Sequence, residues 1–596
     1  MTDTSSSTRT RLALLRAELK ARKLTGLLVP RQDEFQGEYV AAYAERLKWL
    51  TGFGGSWGLA IVTLKKAAIF VDGRYTIQVR GQVDTKLITP QHLIDEPPTA
   101  WIAKNLKKGD HLGFDPWLVT ADQAKRFREA CEGVGAAFVP VDSNPIDVIW
   151  KDQPARPAAT LSTQPTQFAG RTAADKIKDM QKAIAGHDAV VLTQPDSVAW
   201  LFNLRGFDVP FTPVVPAYAI LHAKGKAELF VSPEKLTEEV KTHLKKIAFT
   251  RKPSDIEASL KALGKAKARV LIDGAWTPER IREVLAKSKA TVATGTDPAT
   301  FPKARKNAVE QEGARTAQRR DGVAITRFIR WLEAEAPKGS LTELDAAAML
   351  REFREATGEL KDLSFETIPA AGAHAASPHY HADAQSNAPL KMNQIFLVDS
   401  GAQYIDGTTD ITRTVIVGEP TSEMRDRFTR VLKGMINLSR IRFPKGTCGS
   451  QLDVLARAAL WNAGLDFDHG TGHGVGSYLS VHEGPARINK ADRTPLEPGM
   501  VLSNEPGFYK QGEYGIRIEN LFMVHEAKEI PGGERKMLGF ETLTLCPIDR
   551  RLIDTSLMLP DEVKWLNDYH ARVLKEIGDF LEGGELDWLK KACAPI

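Results

Sequence analysis

The sequence predicts an α/β (α+β) protein built from two copies of one α/β domain followed by a third domain that carries the chemistry. Three observations lead there. A strand, a Trp-Leu…Gly-Phe corner and a hairpin occur twice in the same order. A Pro-, Ala-, Thr- and Gln-rich stretch, residues 151–170, lies between the copies and reads as a linker. Beyond residue 376, acidic and histidine side chains gather among glycines and strand-like runs. At 596 residues the chain is too long for one ordinary core. The expected divisions are 1–160, 161–305 and 306–596.

Composition narrows the class. With 42% hydrophobic and 26% charged residues the chain is globular in character, and no tract is biased. A formal charge of +5 is slight for this length, and no basic run interleaves with aromatics, so nucleic acid is not an expected partner. No apolar run nears the roughly 18 residues of a membrane span, and Arg16 interrupts the only candidate signal core at Leu12–Leu15. No membrane and a cytoplasmic location are therefore expected. Cys131, Cys448, Cys546 and Cys593 lack metal-knuckle spacing and read as reduced structural thiols.

In chain order, residues 1–10 read as a Ser/Thr-rich tail, and leucines at 12, 14, 15 and 19 predict an amphipathic helix over 9–23. Gly26–Pro30 is a buried strand, Trp49-Leu-Thr-Gly-Phe53 the corner, and 60–64 with 67–71 the hairpin, closed by Asp72-Gly-Arg-Tyr75. Ala189–Leu192, Trp200-Leu…Gly206-Phe207 and 219–222 with 227–231 repeat that order. The period of roughly 150 residues is that of a duplicated domain, not a solenoid. A helix is expected from Asn307 to about Ala336, ended by Pro337-Lys-Gly339. Ser340 and Glu343 then form a capping box for the next helix.

The chemistry centres on Leu397-Val-Asp-Ser400 and Asp410-Ile-Thr-Arg-Thr414, which set Asp399 and Asp410 at the ends of two apolar strands. Burying both carboxylates is costly unless a cation or proton compensates them. His379 and His381 lie in SPHYH, His469 and His473 in a glycine-rich run unsuited to a helix interior, and His482 in SVHE. Glu505 precedes Pro506-Gly507, and strand alternation puts Arg517 and Glu519 on one face. Asp399, Asp410, His473, Glu505 and Glu519 thus form four carboxylates and one imidazole. That charge suits two divalent ions better than one and makes a two-metal hydrolytic site. The oxygen-rich set favours Mn²⁺ over a thiolate-preferring metal, with Zn²⁺ or Co²⁺ also able to occupy it.

The order Asp-x₁₀-Asp…His…Glu…Glu, with GTGHGVG, NEPG and GIRIEN, resembles the pita-bread metallopeptidases. DSGAQY-x-DGTTDITRT, HGTGHGVGSYLSVHEGP, DGRY and AWLFNLRG are closer still to the three-domain Xaa-Pro aminopeptidases, and the resemblance spans nearly the whole chain. It implies two creatinase-like N-terminal domains and a pita-bread catalytic domain. It also implies two Mn²⁺ per subunit held by Asp399, Asp410, His473, Glu505 and Glu519, with Asp410 and Glu519 bridging. By the same resemblance His379, His469 and His482 are active-site histidines, Arg74 a substrate contact, and the chain a homodimer.

The expected reaction is hydrolysis between any N-terminal residue and a penultimate proline. Metal-activated hydroxide attacks the carbonyl, His482 helps polarise it, and Glu505 moves the proton. His469, Tyr509 and Arg517 are expected around the proline ring, His379 on the prime side of the peptide, and Arg413 as an ion-pair brace on the Asp410 strand. The alternatives are a prolidase-like Xaa-Pro dipeptidase and a non-catalytic pita-bread scaffold that binds partners.

Overall fold

The computed structural model describes the backbone from residue 2 and the side chains from residue 7 through Ile596. Two compact units result, Met1–Gln164 with Arg171–Ala299, and Pro165–Gly170 with Thr300–Ile596.

The first unit contains two six-stranded sheets of one design. In chain numbering their orders are 89–92, 67–71, 59–63, 26–30, 111–114, 137–140 and 248–251, 227–230, 218–222, 189–192, 269–272, 291–294. In each, the first strand pairs antiparallel with the hairpin, and the outer strands on both sides add in parallel. The repeated corner has a local cause. Helix Arg46–Thr51 ends on Gly52 (φ 85°) and helix Pro195–Phe202 on Asn203 (φ 49°), both left-handed caps. Glycine adopts that conformation freely, and asparagine is among the few other residues that tolerate it.

The N-terminus departs from expectation. Helix Thr2–Ala21 occupies most of the stretch read as a tail, and Met1 lies outside the described residues. Leu12, Leu15 and Leu19 are buried by this helix while Leu14 is exposed, as an amphipathic face requires.

In the second unit, helix Ala308–Glu335 starts where expected, with the Asn307 side chain accepting from the N–H groups of Val309 and Glu310. The next start differs. Thr342 caps helix Glu343–Glu355 with Asp345 as its reciprocal partner, and Glu343 points inward. Strand Gln394–Ser400 runs antiparallel between Ile368–Ala371 and Ile411–Val417. Its side chains are buried on both faces: Ile395 packs with Phe428, Leu432 and Met435, and Phe396 and Val398 with Phe328 and Ile329. A five-stranded sheet in the order 483–488, 472–474, 501–504, 520–528, 537–542 lies in the same unit, and hairpin Gly507–Lys510/Tyr514–Arg517 packs on strand Gln394–Ser400. All four cysteines are buried thiols. Among the described residues, no helix is long and apolar enough to cross a membrane.

Candidate metal centre

Register explains why the acidic residues converge. Asp399 sits opposite Thr412, and the Glu519 N–H donates to the Thr412 carbonyl, stitching the two halves together. Glu505 follows Asn504, which is paired with Asn520, and its N–H donates to the Thr471 carbonyl two residues before His473. The strand turn at 517–519 sends Arg517 and Glu519 to the same side, buried rather than solvated. One side-chain oxygen or ring nitrogen from each member of three overlapping groups lies within 4.8 Å of the others: Asp399, Asp410, Glu519; His473, Glu505, Glu519; and Asp410, His473, His482.

His473 is set to present a lone pair. Its Nδ1 lies 3.0 Å from the Gly474 carbonyl, which can only accept, so Nδ1 carries a hydrogen and, in the neutral ring, Nε2 keeps its lone pair. That Nε2 lies 3.5 Å from both Asp410 Oδ2 and Glu505 Oε1. With the ring neutral these are three acceptors facing one another, which repel unless a cation lies between them. Asp399 Oδ1 is likewise buried with no hydrogen-bond partner among the described residues. Burial, followed by the charge of neighbouring carboxylates, pushes Asp410 and Glu519 well above the ordinary carboxylate range, and burial pushes Glu505 up to about 7. The donor set therefore fits divalent cations.

A hydrogen-bonded chain leads outward from the carboxylates. Arg517 Nη2 donates to Asp399 Oδ2 at 2.7 Å, Nε to Thr412 Oγ1 at 3.1 Å and Nη1 to the Tyr509 hydroxyl at 2.7 Å. The Thr412 hydroxyl in turn donates to Glu519 Oε2 at 2.8 Å. Having accepted from Arg517, the Tyr509 hydroxyl donates to His469 Nε2 at 2.8 Å, and His469 Nδ1 bonds the Gly470 carbonyl. The polar atoms of Tyr509 and Arg517, expected around proline, are thus engaged inside the protein. His482 stands edge-on to His473 with ring centroids 4.3 Å apart. The next residue, Glu483, is buried between Lys303 and Lys306.

His379 is half-buried on the irregular loop after the turn Gly372–Ala376, and His381 is exposed and paired with Glu366. Arg74 lies in the first unit, where Asp72 grips its guanidinium and Glu38 stands 3.9 Å away. Arg413 corrects an expectation. It does brace the Asp410 strand, but through no ion pair among the described residues; it donates to the carbonyls of Thr412, Glu519, Cys546 and Pro547, to the Asn520 amide oxygen and to the Tyr569 hydroxyl. A guanidinium has donors enough to be fully satisfied by such neutral oxygens. Sequence reasoning missed Thr412 and Ser503, which touch Glu519 and Glu505. Strand alternation offered a signal for Thr412, two residues from Asp410 and so on its face.

Known proteins resemble this chain along nearly its whole length. The model of metallopeptidase family M24 matches residues 312–526, its C-terminal region 536–596, and the creatinase/prolidase N-terminal domain matches twice, at 11–149 and 152–310. A protein of Paracoccidioides brasiliensis (strain Pb03) named Probable Xaa-Pro aminopeptidase P is 41% identical, over 98% of this chain and 99% of its own length. The chain belongs to metallopeptidase family M24. A namesake from Coccidioides posadasii (strain C735) shares 41% identity with this M24 chain over 98% of it and 93% of the relative. Among solved structures, X-prolyl aminopeptidase of Caenorhabditis elegans, described as a cytosolic enzyme with a di-nuclear active site, superposes with a TM-score of 0.95 at 36% identity, covering 99% of this chain and all of that one. The M24 chain thus has two creatinase-like N-terminal modules and a C-terminal pita-bread module, and the neighbour it superposes on is described as having a di-nuclear active site.

Proposed function

We propose that this protein is a metal-dependent Xaa-Pro aminopeptidase that releases the first residue from peptides whose second residue is proline. The observation that carries the reading is His473 Nε2 facing Asp410 and Glu505 at 3.5 Å, in a set of four carboxylates of which Asp399, Asp410 and Glu519 are buried and Glu505 half-buried. The ligands are Asp399, Asp410, His473, Glu505 and Glu519. Glu519 belongs to two of the three overlapping groups and Asp410 to two, which supports both as bridging carboxylates. The oxygen-dominated set supports Mn²⁺. Two cations would supply a water of lowered pKa and a Lewis acid for the scissile carbonyl.

The protein's own groups do the rest. Glu505, with Oε1 accepting from Ser503 at 3.2 Å, takes the water proton and returns it to the leaving imino nitrogen. His482 donates a hydrogen bond to the carbonyl oxygen as charge develops on it. His379 holds the peptide on the prime side, and His469, Tyr509 and Arg517 form the surround of the proline ring, which offers no N–H to grip. Arg74 contacts substrate from the N-terminal part of the chain. The division 1–160, 161–305 and 306–596, a homodimer and a cytoplasmic location complete the proposal, resting on the resemblance of the whole chain to three-domain family members.

The test is turnover of a peptide beginning Arg-Pro-Pro after chelation and re-addition of Mn²⁺, Zn²⁺ or Co²⁺. Release of free arginine is expected with Mn²⁺. No release with any metal overturns the reading, and cleavage of Xaa-Pro dipeptides alone converts it to a dipeptidase.

A further inference from the structure

Glu343 is fully buried at the start of helix Glu343–Glu355, where Thr342 and Asp345 already make the cap. Its carboxylate instead collects four donors. Oε1 accepts from the Ala371 N–H and His374 Nδ1, each at 2.8 Å, and Oε2 from the Tyr380 hydroxyl and the Ala388 N–H, each at 2.9 Å. The rings of His374 and Tyr380 stack with centroids 4.4 Å apart. Beside this, the Glu343 N–H donates to the Ala388 carbonyl and the Leu344 N–H to Asn387 Oδ1.

The four donors are not scattered. Ala371 ends a strand and Ala388 lies where the chain returns, so one carboxylate closes residues 371–388 at both ends and also grips Tyr380. His379 is the neighbour of Tyr380 within that closed stretch. The near end is registered against the cleft as well: a Cβ on Gly515 would fall 1.7 Å from the Ala375 carbonyl, so the turn Gly372–Ala376 seats directly on the hairpin bearing Tyr509 and Arg517. Stability alone does not explain an ionised group here, because buried charges are commonly matched or bettered by apolar packing.

We propose that Glu343 is a positioning residue for His379, its four-donor clamp setting where the 371–388 loop presents that imidazole to the peptide. This rests on the reading of His379 as a peptide contact. Glu343→Gln keeps the shape but replaces one accepting oxygen by an NH₂ that cannot accept, so two of the four donors lose their partner.

The experiment compares Glu343→Gln, His379→Ala and the double variant, each metal-loaded, on the Arg-Pro-Pro peptide. Glu343→Gln should lower kcat/KM by about 10- to 100-fold, as small misplacements of a site group do. It should divide that loss between kcat and KM as His379→Ala does, and the double variant should be no worse than His379→Ala. Multiplying losses, or a loss explained by a reduced folded fraction, would overturn the proposal. Glu343→Asp, which retains the charge and both oxygens, should recover part of the activity. Amide hydrogen exchange gives a readout independent of turnover: it should quicken within 372–388 and stay unchanged in 394–417, and equal quickening in both overturns the clamp. If the wild type releases no arginine, the aminopeptidase reading falls, and exchange alone then decides whether Glu343 holds the loop.

Discussion

Arg517 Nη2 reaches Asp399 Oδ2 at 2.7 Å, and both groups are buried. Asp399 therefore has one oxygen bound by a guanidinium and the other buried with no hydrogen-bond partner among the described residues. Such partners fix a ligand's orientation and charge, and their loss commonly costs 10- to 100-fold in metal affinity. Arg517→Met should weaken the tighter Mn²⁺ site by about that factor, measured by titration calorimetry. Unchanged affinity would show that Asp399 is oriented by its strand alone.

Glu505→Gln retains volume but neither moves a proton nor carries charge. The expected loss in kcat is about 10²- to 10⁴-fold, the usual range for a general base. Circular dichroism and the unfolding midpoint should stay near wild type. An active variant would place the proton shuttle elsewhere.

Metal removal should make stability fall as pH rises. Glu505 is pushed from its ordinary value near 4.5 up to about 7, and Asp410 and Glu519 are raised too, so the metal-free folded state binds protons more tightly than the unfolded chain. Stability is full below the unfolded pKa and is lost on ionisation, about 3 kcal/mol through Glu505 alone. The gain in Tm on adding Mn²⁺ should therefore be larger at pH 8 than at pH 5.

His570 has the opposite sign. Burial, with Arg413 and Arg550 nearby, pushes it from 6.5 down to about 4, and its Nε2 accepts the Ile548 N–H at 3.1 Å, a bond that protonation would break. The unfolded chain gains the proton first, so stability present above pH 6.5 falls toward pH 4 by about 3 kcal/mol. In His570→Gln, whose amide oxygen can still accept, the acid limb of a urea-unfolding pH series should flatten.

Glu483 is 1% exposed between Lys303 and Lys306, which are 3% and 4% exposed. Removing its charge takes from both buried lysines the carboxylate they share, and Glu483→Gln should cost about 3–5 kcal/mol. Lys303→Met leaves a balanced pair and should cost clearly less by chemical denaturation. Equal costs would mean that the three charges are not coupled.

Much of this site was legible because a metal cluster needs rare residue types in backbone contexts that show in one dimension. Asp399 and Asp410 close apolar strands, His473 lies in a glycine run, and alternation puts Arg517 with Glu519. What stayed hidden depends on which neighbour a side chain meets. Ser340 and Thr342 are both competent caps, and only packing decides that Thr342 wins and Glu343 turns inward. Arg413 looked like an ion-pair partner because arginine has the charge, yet it is satisfied by neutral oxygens, all but that of Thr412 contributed from 106 to 156 positions away.

The Lys303–Lys306–Glu483 triad also determines where the chain can be cut. The M24 match begins at residue 312, whereas the compact unit that contains Glu483 begins at Thr300 and also takes in Pro165–Gly170, whose Ala169 carbonyl accepts from the Asn307 side chain. A catalytic half expressed from residue 306 loses Lys303, and one from 312 loses both lysines and leaves a buried carboxylate with no counter-ion. The start of the compact unit is thus tied to a charge balance next to the histidine loop, several residues upstream of where the M24 match begins.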